Sequence, residues 1–557
     1  MIRPPSLLLK AAMALYGVRF WAPLDRAAAR PADAQRAVLL RILAANRDTT
    51  FGRTHGFAAI GTPADFARRV PVQHYESLRA HVERQRTTGE PALTAEAPVF
   101  YAQTSGTTGA PKYVPITPSV LAVTRTEQKI FSFLQHRACP AAFAGRTLGI
   151  MGAAVEGHLD SGHAVGSVSG QLYRSMPRFV KARFVVPPDV SSVTDYELKY
   201  LLILRLALEL PDITYLGAPN PSSFLRLGSL LQGHRDTLLR SLATGSFAGL
   251  DSLSPEVRAD LAGRITAQPA RAAALERVTD LTFATVWPAI ALVTTWTGGS
   301  CGIALEAVRR MLPEATQVME LGYQATEFRG TLALEAEQPG GLPPLQHTFF
   351  EFIEESAWDA GRAECLTVDQ LEPQRRYQVI VTTSAGLYRY FMNDLIEVVG
   401  QHRRTPLLRF VQKGRGVTNL TGEKLYEAQV IEAVQDTARA FAFVTSFFVM
   451  LAGEAPYAYR LYVELDGGVA PPGDSAAAAL DAALGARNLE YHGKRASGRL
   501  GPVSIAWLRP GSAEIYKAAC VQAGQREGQY KPAVLLHGRE SKVPVADLEA
   551  LRSMVGE

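Results

Sequence analysis

The segment Tyr101-Ala-Gln-Thr-Ser-Gly-Thr-Thr-Gly-Ala-Pro-Lys-Tyr-Val-Pro115 constrains this chain more than any other. Thr104, Ser105, Thr107 and Thr108, with Gly106, Gly109 and Lys112, fall between apolar runs at Pro98 to Tyr101 and Tyr113 to Ile116. The runs predict a loop joining two strands. Glycines allow positive φ and let backbone N–H groups turn inward, while hydroxyls and a lysine add further donors. Such a loop is suited to surrounding an anion such as a polyphosphate. The Walker spacing is absent, because Ala110-Pro111 separates Gly109 from Lys112 and the following residues read as extended. A Ser/Thr/Gly run alone is usually a solvated turn, so the weight lies in the Pro-Lys ending and the flanking strands.

A chain of 557 residues exceeds one ordinary core and predicts two or more domains. With 47% hydrophobic and 20% charged residues it is globular, not disordered. The formal net charge of +5, without a dense Lys/Arg tract interleaved with aromatics, argues against a nucleic-acid partner and suits an anionic substrate. Cys139, Cys301, Cys365 and Cys520 are far apart and form no C-x-x-C pair, which predicts reduced thiols in the cytoplasm and no zinc site. In Met1 to Pro23, Lys10 splits the apolar run and no cleavage site follows, so no stable membrane insertion is expected. An amphipathic helix that docks on a membrane or an acyl chain is the other reading.

Helices are predicted over Ala34 to Asn46 and His74 to Arg84, and from a Thr117 cap to about Arg137, with Val120, Leu121, Ile130, Phe131 and Leu134 inward. Arg125, Lys129 and Arg137 on the last of these form either a solvated face or a holder for a substrate carboxylate. His158 and His163 lack further ligands nearby in sequence, and their glycine-rich surroundings predict a hairpin, not a metal site. Thr194-Asp-Tyr-Glu197 reads as a capping box for an apolar helix ending at Pro211. Strands at Ile213 to Pro219, Ala289 to Thr297 and Val318 to Gly322, separated by helices, predict an α/β domain with a largely parallel sheet and ligands at the strands' carboxyl ends. The last of these strands empties into Tyr323-Gln-Ala-Thr-Glu327. Beside a polyphosphate loop a carboxylate such as Glu327 is what Mg²⁺ requires, although glutamate there is also an ordinary surface residue. From Gln378 to Val399 the pattern alternates as in an antiparallel meander or small barrel, with Asp394 either a turn residue or an acceptor for ribose hydroxyls. Lys413-Gly-Arg-Gly416 looks like a hinge. The predicted organisation is a large domain over 1–412, a hinge over 413–424 and a smaller mobile α+β domain over 425–557.

Three separated motifs resemble those of the adenylate-forming enzymes. Thr104-Ser-Gly-Thr-Thr-Gly-Ala-Pro-Lys112 resembles their phosphate loop, Tyr323-Gln-Ala-Thr-Glu327 their Tyr-Gly-x-Thr/Ser-Glu motif, and Tyr388-Arg-Tyr-Phe-Met-Asn-Asp394 their Tyr-Arg-x-Gly-Asp motif with two extra residues. Arg499-Leu-Gly-Pro-Val-Ser-Ile-Ala-Trp-Leu-Arg-Pro-Gly511 and Gly524-Gln-Arg-Glu-Gly-Gln-Tyr-Lys-Pro532 resemble the tail of the auxin-responsive acyl acid amido synthetases, the Gretchen Hagen family. Ala44-Ala-Asn-Arg-Asp-Thr-Thr-Phe-Gly-Arg53 and Val70-Pro-Val-Gln-His-Tyr75 resemble its front, so the likeness spans nearly the whole chain.

The resemblance implies an ATP- and Mg²⁺-dependent ligase with small-molecule partners, a carboxylic acid and an amine, usually that of an amino acid. The acid forms an acyl-adenylate with release of pyrophosphate, and the amine then displaces AMP. It implies Thr104, Ser105, Gly106, Thr107, Thr108, Gly109 and Lys112 for the phosphates, and Tyr323 and Thr326 for the nucleotide. Glu327 would hold Mg²⁺, Asp394 the ribose, and Arg415 a second ribose or phosphate contact. Lys531 would be the mobile lysine brought to the α-phosphate by domain closure. Gln324 and Asn393 depart from the family pattern, standing where glycine is common. No carrier domain or thioester machinery is visible. An acyl-CoA ligase is the alternative, which the tail argues against, and a non-catalytic homologue is a further one, which retention of Lys112 and Glu327 argues against.

Overall fold

The computed structural model describes residues 6–104, 112–298, 301–359, 361–362, 364–414, 417–421, 423–454, 457–523, 525 and 530–553. The chain forms two compact units. One comprises Met1–Pro219, Leu227–Trp296 and Leu312–Phe410, the other Asn220–Arg226, Thr297–Met311 and Val411–Glu557.

The first unit holds a parallel sheet whose strands lie in chain order: Arg146–Gly149, Ile213–Gly217, Leu292–Thr295 and Gln317–Glu320. Leu292–Thr295 is buried at every position, as expected of a strand covered on both faces. The strands are shorter than their apolar runs. Ile290 N–H closes a turn on the Trp287 carbonyl before Leu292–Thr295 begins. Gly322, at φ +100°, bends the chain out after Gln317–Glu320. The helix Pro118–Ala138 starts as anticipated, with Thr117 Oγ1 accepting from Val120 N–H. The helix Tyr196–Leu208 begins one residue away from the expected cap. Asp195, not Thr194, accepts from Leu198 N–H, because the aspartate carboxylate reaches the third residue of the helix.

A second sheet pairs Phe100–Thr104 antiparallel with Lys112–Ile116 and parallel with Ala164–Gly166. Ala164–Gly166 in turn forms a hairpin with Gly157–His158. His158 and His163 therefore belong to a hairpin, and no group of three metal-ligating side chains occurs among the described residues.

The third sheet is an open, largely antiparallel meander of five strands: Leu366–Thr367, Phe349–Glu354, Arg376–Thr382, Tyr390–His402 and Thr405–Lys413, in that spatial order. Arg389 locks it to the front of the chain. At φ +46° its buried guanidinium pairs with Glu351 at 2.9 Å and donates to the carbonyls of Ala67 and Val70. Burial raises the Glu351 pKa despite that partner. Arg389→Met strands a buried carboxylate and is expected to destabilise this unit by about 3–5 kcal/mol, read as a lowered unfolding midpoint. An unchanged midpoint would contradict the assignment.

The second unit is built on a four-stranded sheet ordered Ser504–Leu508, Tyr457–Leu465, Thr445–Glu454, Leu535–His537. The two-residue period of a strand is visible in its packing. Phe448, Met450 and Ala452 face one core, with helix residues Val430, Val434, Leu480 and Leu484. Phe447, Val449 and Leu451 face another, with Tyr516 and Cys520. The helix Gly473–Arg487 is followed at once by a second, Leu489–Ala496, which Asn488 caps by accepting from Tyr491 N–H.

At the front, the helix Ser6–Tyr16 leaves Leu8 and Leu15 exposed. Among the described residues no helix is long and apolar enough to cross a membrane.

Candidate functional site

Thr104 and Lys112 are register partners at the ends of two antiparallel strands. Ser105, Gly106, Thr107, Thr108 and Gly109, expected to bind phosphates, lie outside the described residues, and so does Arg415. The Lys112 ammonium lies 5.6 Å from the centre of the Tyr75 ring. Tyr75 begins the helix Tyr75–Thr88. Its hydroxyl accepts from Tyr113 N–H at 2.6 Å and donates to the Tyr113 carbonyl at 3.2 Å, which ties that helix to the Lys112 strand. Burial pushes the Tyr75 phenol up to about 12, so it stays protonated.

Glu327 is presented by a tight turn. Gln324 and Arg329 pair as a bridge, Ala325 N–H bonds the Phe328 carbonyl at 3.0 Å, and Thr326 and Glu327 sit part-exposed at the tip. The base of the turn is braced by Tyr323 N–H to Thr331 Oγ1 at 2.8 Å and by Gly330 N–H to the Tyr323 carbonyl at 2.7 Å. Two glycines are required here. A Cβ on Gly322 would lie 2.3 Å from the Thr331 carbonyl oxygen, and one on Gly330 would lie 2.3 Å from the Tyr323 ring. Gln324 takes no positive φ, so no glycine is needed at its position.

Tyr323 is enclosed between Phe410, stacked at 5.5 Å, and Phe328, edge-on at 5.2 Å. Its hydroxyl donates to Asp394 Oδ2 at 2.7 Å, so the chain places Tyr323 against the carboxylate expected to hold ribose. Burial, Asp394 and Glu327 together raise the Tyr323 phenol well above its ordinary range. Asp394 lies in Tyr390–His402, whose register against Arg376–Thr382 shifts between Gln378 and Ile380. The extra residues of Tyr388–Asp394 form this bulge, and Asn393 enters the left-handed region at φ +54°, which asparagine tolerates without being glycine.

Tyr390 completes the cluster. Its phenol is raised first by burial and then by the charges of Glu327, Asp394 and Glu76. Within the first unit the Lys112 ammonium thus meets the Tyr75 ring and the Tyr323 hydroxyl meets Asp394, and the charges of Glu327, Asp394 and Glu76 all act on Tyr390. Sequence reasoning missed Tyr75, Glu76 and Tyr390 as site residues, although Tyr75 ends the motif Val70-Pro-Val-Gln-His-Tyr75 and Tyr390 lies inside Tyr388–Asp394.

The basic residues of Pro118–Ala138 lie elsewhere. Arg125 is exposed, the Lys129 ammonium sits over Phe20 at 4.7 Å, and Arg137 sits over Trp21 at 5.2 Å while donating to the Leu334 carbonyl. Lys129 and Arg137 fasten the front of the chain to this helix.

Lys531 belongs to the second unit. It lies between Tyr530, whose carbonyl accepts from Asn220 Nδ2 at 2.6 Å, and Val534, whose carbonyl accepts from Met450 N–H at 2.7 Å. Glu427 receives the Val534 N–H, and the Lys531 charge acts on it; burial outweighs both and pushes its carboxyl up to about 7. Because this folded value lies above the ordinary 4.5, the stability it contributes is present below about 4.5 and is lost as pH rises through about 7. Relative to Glu427→Gln, the wild-type protein is expected to lose about 1 kcal/mol or more between about pH 5 and pH 8, a partial share of its shift because Glu427 is part-exposed. Parallel melting curves at both pH values would contradict this. Sequence reasoning also passed over Lys424, exposed at φ +40° with its carbonyl held by Asn488 Nδ2 at 3.2 Å. A lysine held in the left-handed region is a local strain of the kind found at working loops.

The donor set fits a magnesium nucleotide. One part-exposed carboxylate past a strand end, with no closed cage of protein ligands among the described residues, suits Mg²⁺, which keeps waters and substrate phosphates in its shell.

A parallel α/β core with an antiparallel meander and a smaller α+β unit, carrying these motifs, is the architecture of the adenylate-forming enzymes. The GH3 family N-terminal domain matches residues 22–317, the GH3 family central domain 342–413 and the GH3 family C-terminal domain 428–540. This chain belongs to the GH3 family. It is 24% identical to a probable indole-3-acetic acid-amido synthetase, GH3.1, of Oryza sativa subsp. japonica, over 91% of this chain and 88% of that one. It is 25% identical to the indole-3-acetic acid-amido synthetase GH3.15 of Arabidopsis thaliana, over 72% and 71%. Among solved structures, AtGH3.15 acyl acid amido synthetase in complex with 2,4-DB superposes with a TM-score of 0.84 at 20% identity, covering 99% of this chain and 98% of that one. A 2-hydroxyisobutyryl-CoA ligase in the postadenylation state gives 0.56 at 12% identity, covering 93% and 92%, a likeness of fold alone.

Proposed function

We propose that this chain is an ATP-dependent acyl acid amido synthetase. A carboxylate oxygen of the acyl acid attacks the α-phosphorus of ATP, the α–β phosphoanhydride bond breaks, and pyrophosphate leaves. The amine nitrogen of an acceptor, of the amino-acid class, then attacks the acyl carbon; the acyl–oxygen bond to AMP breaks and the nitrogen loses a proton. The observation that supports this reading most is the hydrogen bond from the Tyr323 hydroxyl to Asp394 at 2.7 Å, which joins two of the three motifs, while the charges of Glu327 and Asp394 both act on Tyr390 and Lys112 of the first motif lies beside Tyr75.

Both steps concentrate negative charge, and preorganised donors are the principal way to stabilise it. Lys112 and the hydroxyl and glycine loop, from Thr104 through Ser105, Gly106, Thr107, Thr108 and Gly109, hold phosphates. Asp394, kept in place by the Tyr323 hydroxyl, receives the ribose hydroxyls, while Thr326 and Arg415 add nucleotide contacts. Glu327 would hold Mg²⁺, which supplies charge neutralisation of the phosphates when bound. Lys531 stabilises the α-phosphate as its charge rises. The free thiols of Cys139, Cys301, Cys365 and Cys520 fit a cytoplasmic location.

Pyrophosphate exchange into ATP, run with aromatic, indole and fatty acids, tests the first step. Exchange dependent on one class of acid supports the reading; none with any acid opposes it. Coenzyme A as acceptor in the same mixture tests the acyl-CoA ligase alternative.

A further inference from the structure

Arg329 stands two residues past Glu327, on the returning arm of the turn, and its surroundings differ from those of the tip. Its guanidinium lies over the Phe131 ring at 5.0 Å. Among the described residues it donates one long hydrogen bond, Nη1 to the Leu321 carbonyl at 3.3 Å, and forms no ion pair. Glu127 acts on it, but that group is buried and already engaged by His347 Nδ1 at 3.1 Å. Arg329 is half-buried and keeps part of its surface, and neither Nε nor Nη2 is a sealed, unpaired atom. A guanidinium carries five donors in a planar fork. Most of that fork is therefore unfilled by protein and reached by solvent.

The polar groups around the guanidinium are already paired. Phe131 is buried beneath it. The Tyr215 hydroxyl is bonded by Gln135 Nε2, which also donates to Thr294 Oγ1 at 3.1 Å. A weakly hydrated planar cation on an aromatic floor, with its fork unfilled and its neighbours' polar groups already paired, is a receptor for a carboxylate.

We propose that Arg329 recognises a carboxylate at the far end of the acyl acid, so that the preferred substrates are dicarboxylic acids with one carboxylate activated and the other held by its guanidinium. This rests on the acyl-activating reading and deepens it. The bidentate pair excludes water from the fork, and a monoacid of equal length leaves the guanidinium without that partner. Sites built around such a buried polar group discriminate strongly against ligands that lack its complement.

The test is pyrophosphate exchange with matched pairs, a fatty monoacid and the α,ω-diacid of the same length, and benzoate with its carboxybenzoate isomers. Wild type, Arg329→Met and Arg329→Lys are compared. The wild type is expected to favour one diacid over its monoacid by about tenfold or more in kcat/KM, and Arg329→Met to lose about 10²-fold on that diacid while the monoacid changes less than about threefold. Arg329→Lys should fall between. Retained monoacid exchange shows that the variant is folded. Equal wild-type rates on both members overturn the proposal, and so do equal losses on both in Arg329→Met, which would place Arg329 on the reacting carboxylate or in the fold. A melting shift by the diacid without ATP separates the two readings. If no acid supports exchange but the diacid stabilises the wild type and not Arg329→Met, the receptor stands and the adenylation reading falls. A diacid that stabilises neither protein and supports no exchange overturns both.

Discussion

Glu327→Gln is expected to lower ATP–pyrophosphate exchange by about 10²–10³-fold, the loss typical of removing one preorganised charge-stabilising group. The substitution keeps the shape of the turn, because the Gln324–Arg329 bridge and the Ala325–Phe328 hydrogen bond are made by backbone. What it removes is a negative charge at the tip, beside Tyr323 and Tyr390. If that charge holds Mg²⁺, the variant should need more of the metal, and raising it should restore part of the rate. Exchange at the wild-type rate in low Mg²⁺ would remove Glu327 from the metal site. An equal loss at every Mg²⁺ concentration would leave it at the site with another role.

Lys531→Ala is expected to slow adenylate formation by about 10²-fold or more while leaving ATP affinity nearly unchanged. The distinction follows from the proposed role. A cation that meets the α-phosphate as charge builds stabilises the transition state more than the bound nucleotide. The anchors on either side of Lys531, the Tyr530 and Val534 carbonyls, are backbone groups and survive the substitution. Single-turnover formation of acyl-AMP, with nucleotide binding measured separately, provides the check. Undiminished turnover would transfer the role to another lysine, of which Lys424, exposed at φ +40°, is the first to test.

Much of the fold was legible because its signals are local. The apolar run around Val293 could only be a buried strand, and Thr117-Pro118 could only start a helix. The two strands Phe100–Thr104 and Lys112–Ile116 were legible for the same reason, each an apolar run beside a glycine-rich break. What the sequence concealed lies in tertiary placement. Arg389 falls within one of the motifs, yet its guanidinium pairs with Glu351 and clasps the Ala67 and Val70 carbonyls, the last two more than three hundred positions away. Asn393 looked like an obstacle where glycine was expected, and the bulge at Gln378 gives it the left-handed φ that the position requires. Tyr323 could be expected near a nucleotide, but nothing in Tyr323-Gln-Ala-Thr-Glu327 reveals a hydroxyl bound to Asp394, seventy-one residues away. Arg329 was invisible for a simpler reason: one arginine after a motif carries no sign of enclosure.

The central claim is that acyl activation ends in an amide. The most direct measurement incubates the protein with ATP, Mg²⁺, an acid that supports pyrophosphate exchange and mixed amino acids, and follows AMP and N-acyl amino acid together by mass spectrometry. Equimolar AMP and amide, both dependent on the acid and on the amine, is the predicted result. AMP and pyrophosphate formed without any amide, or an acyl thioester formed in preference when coenzyme A is supplied, would contradict it.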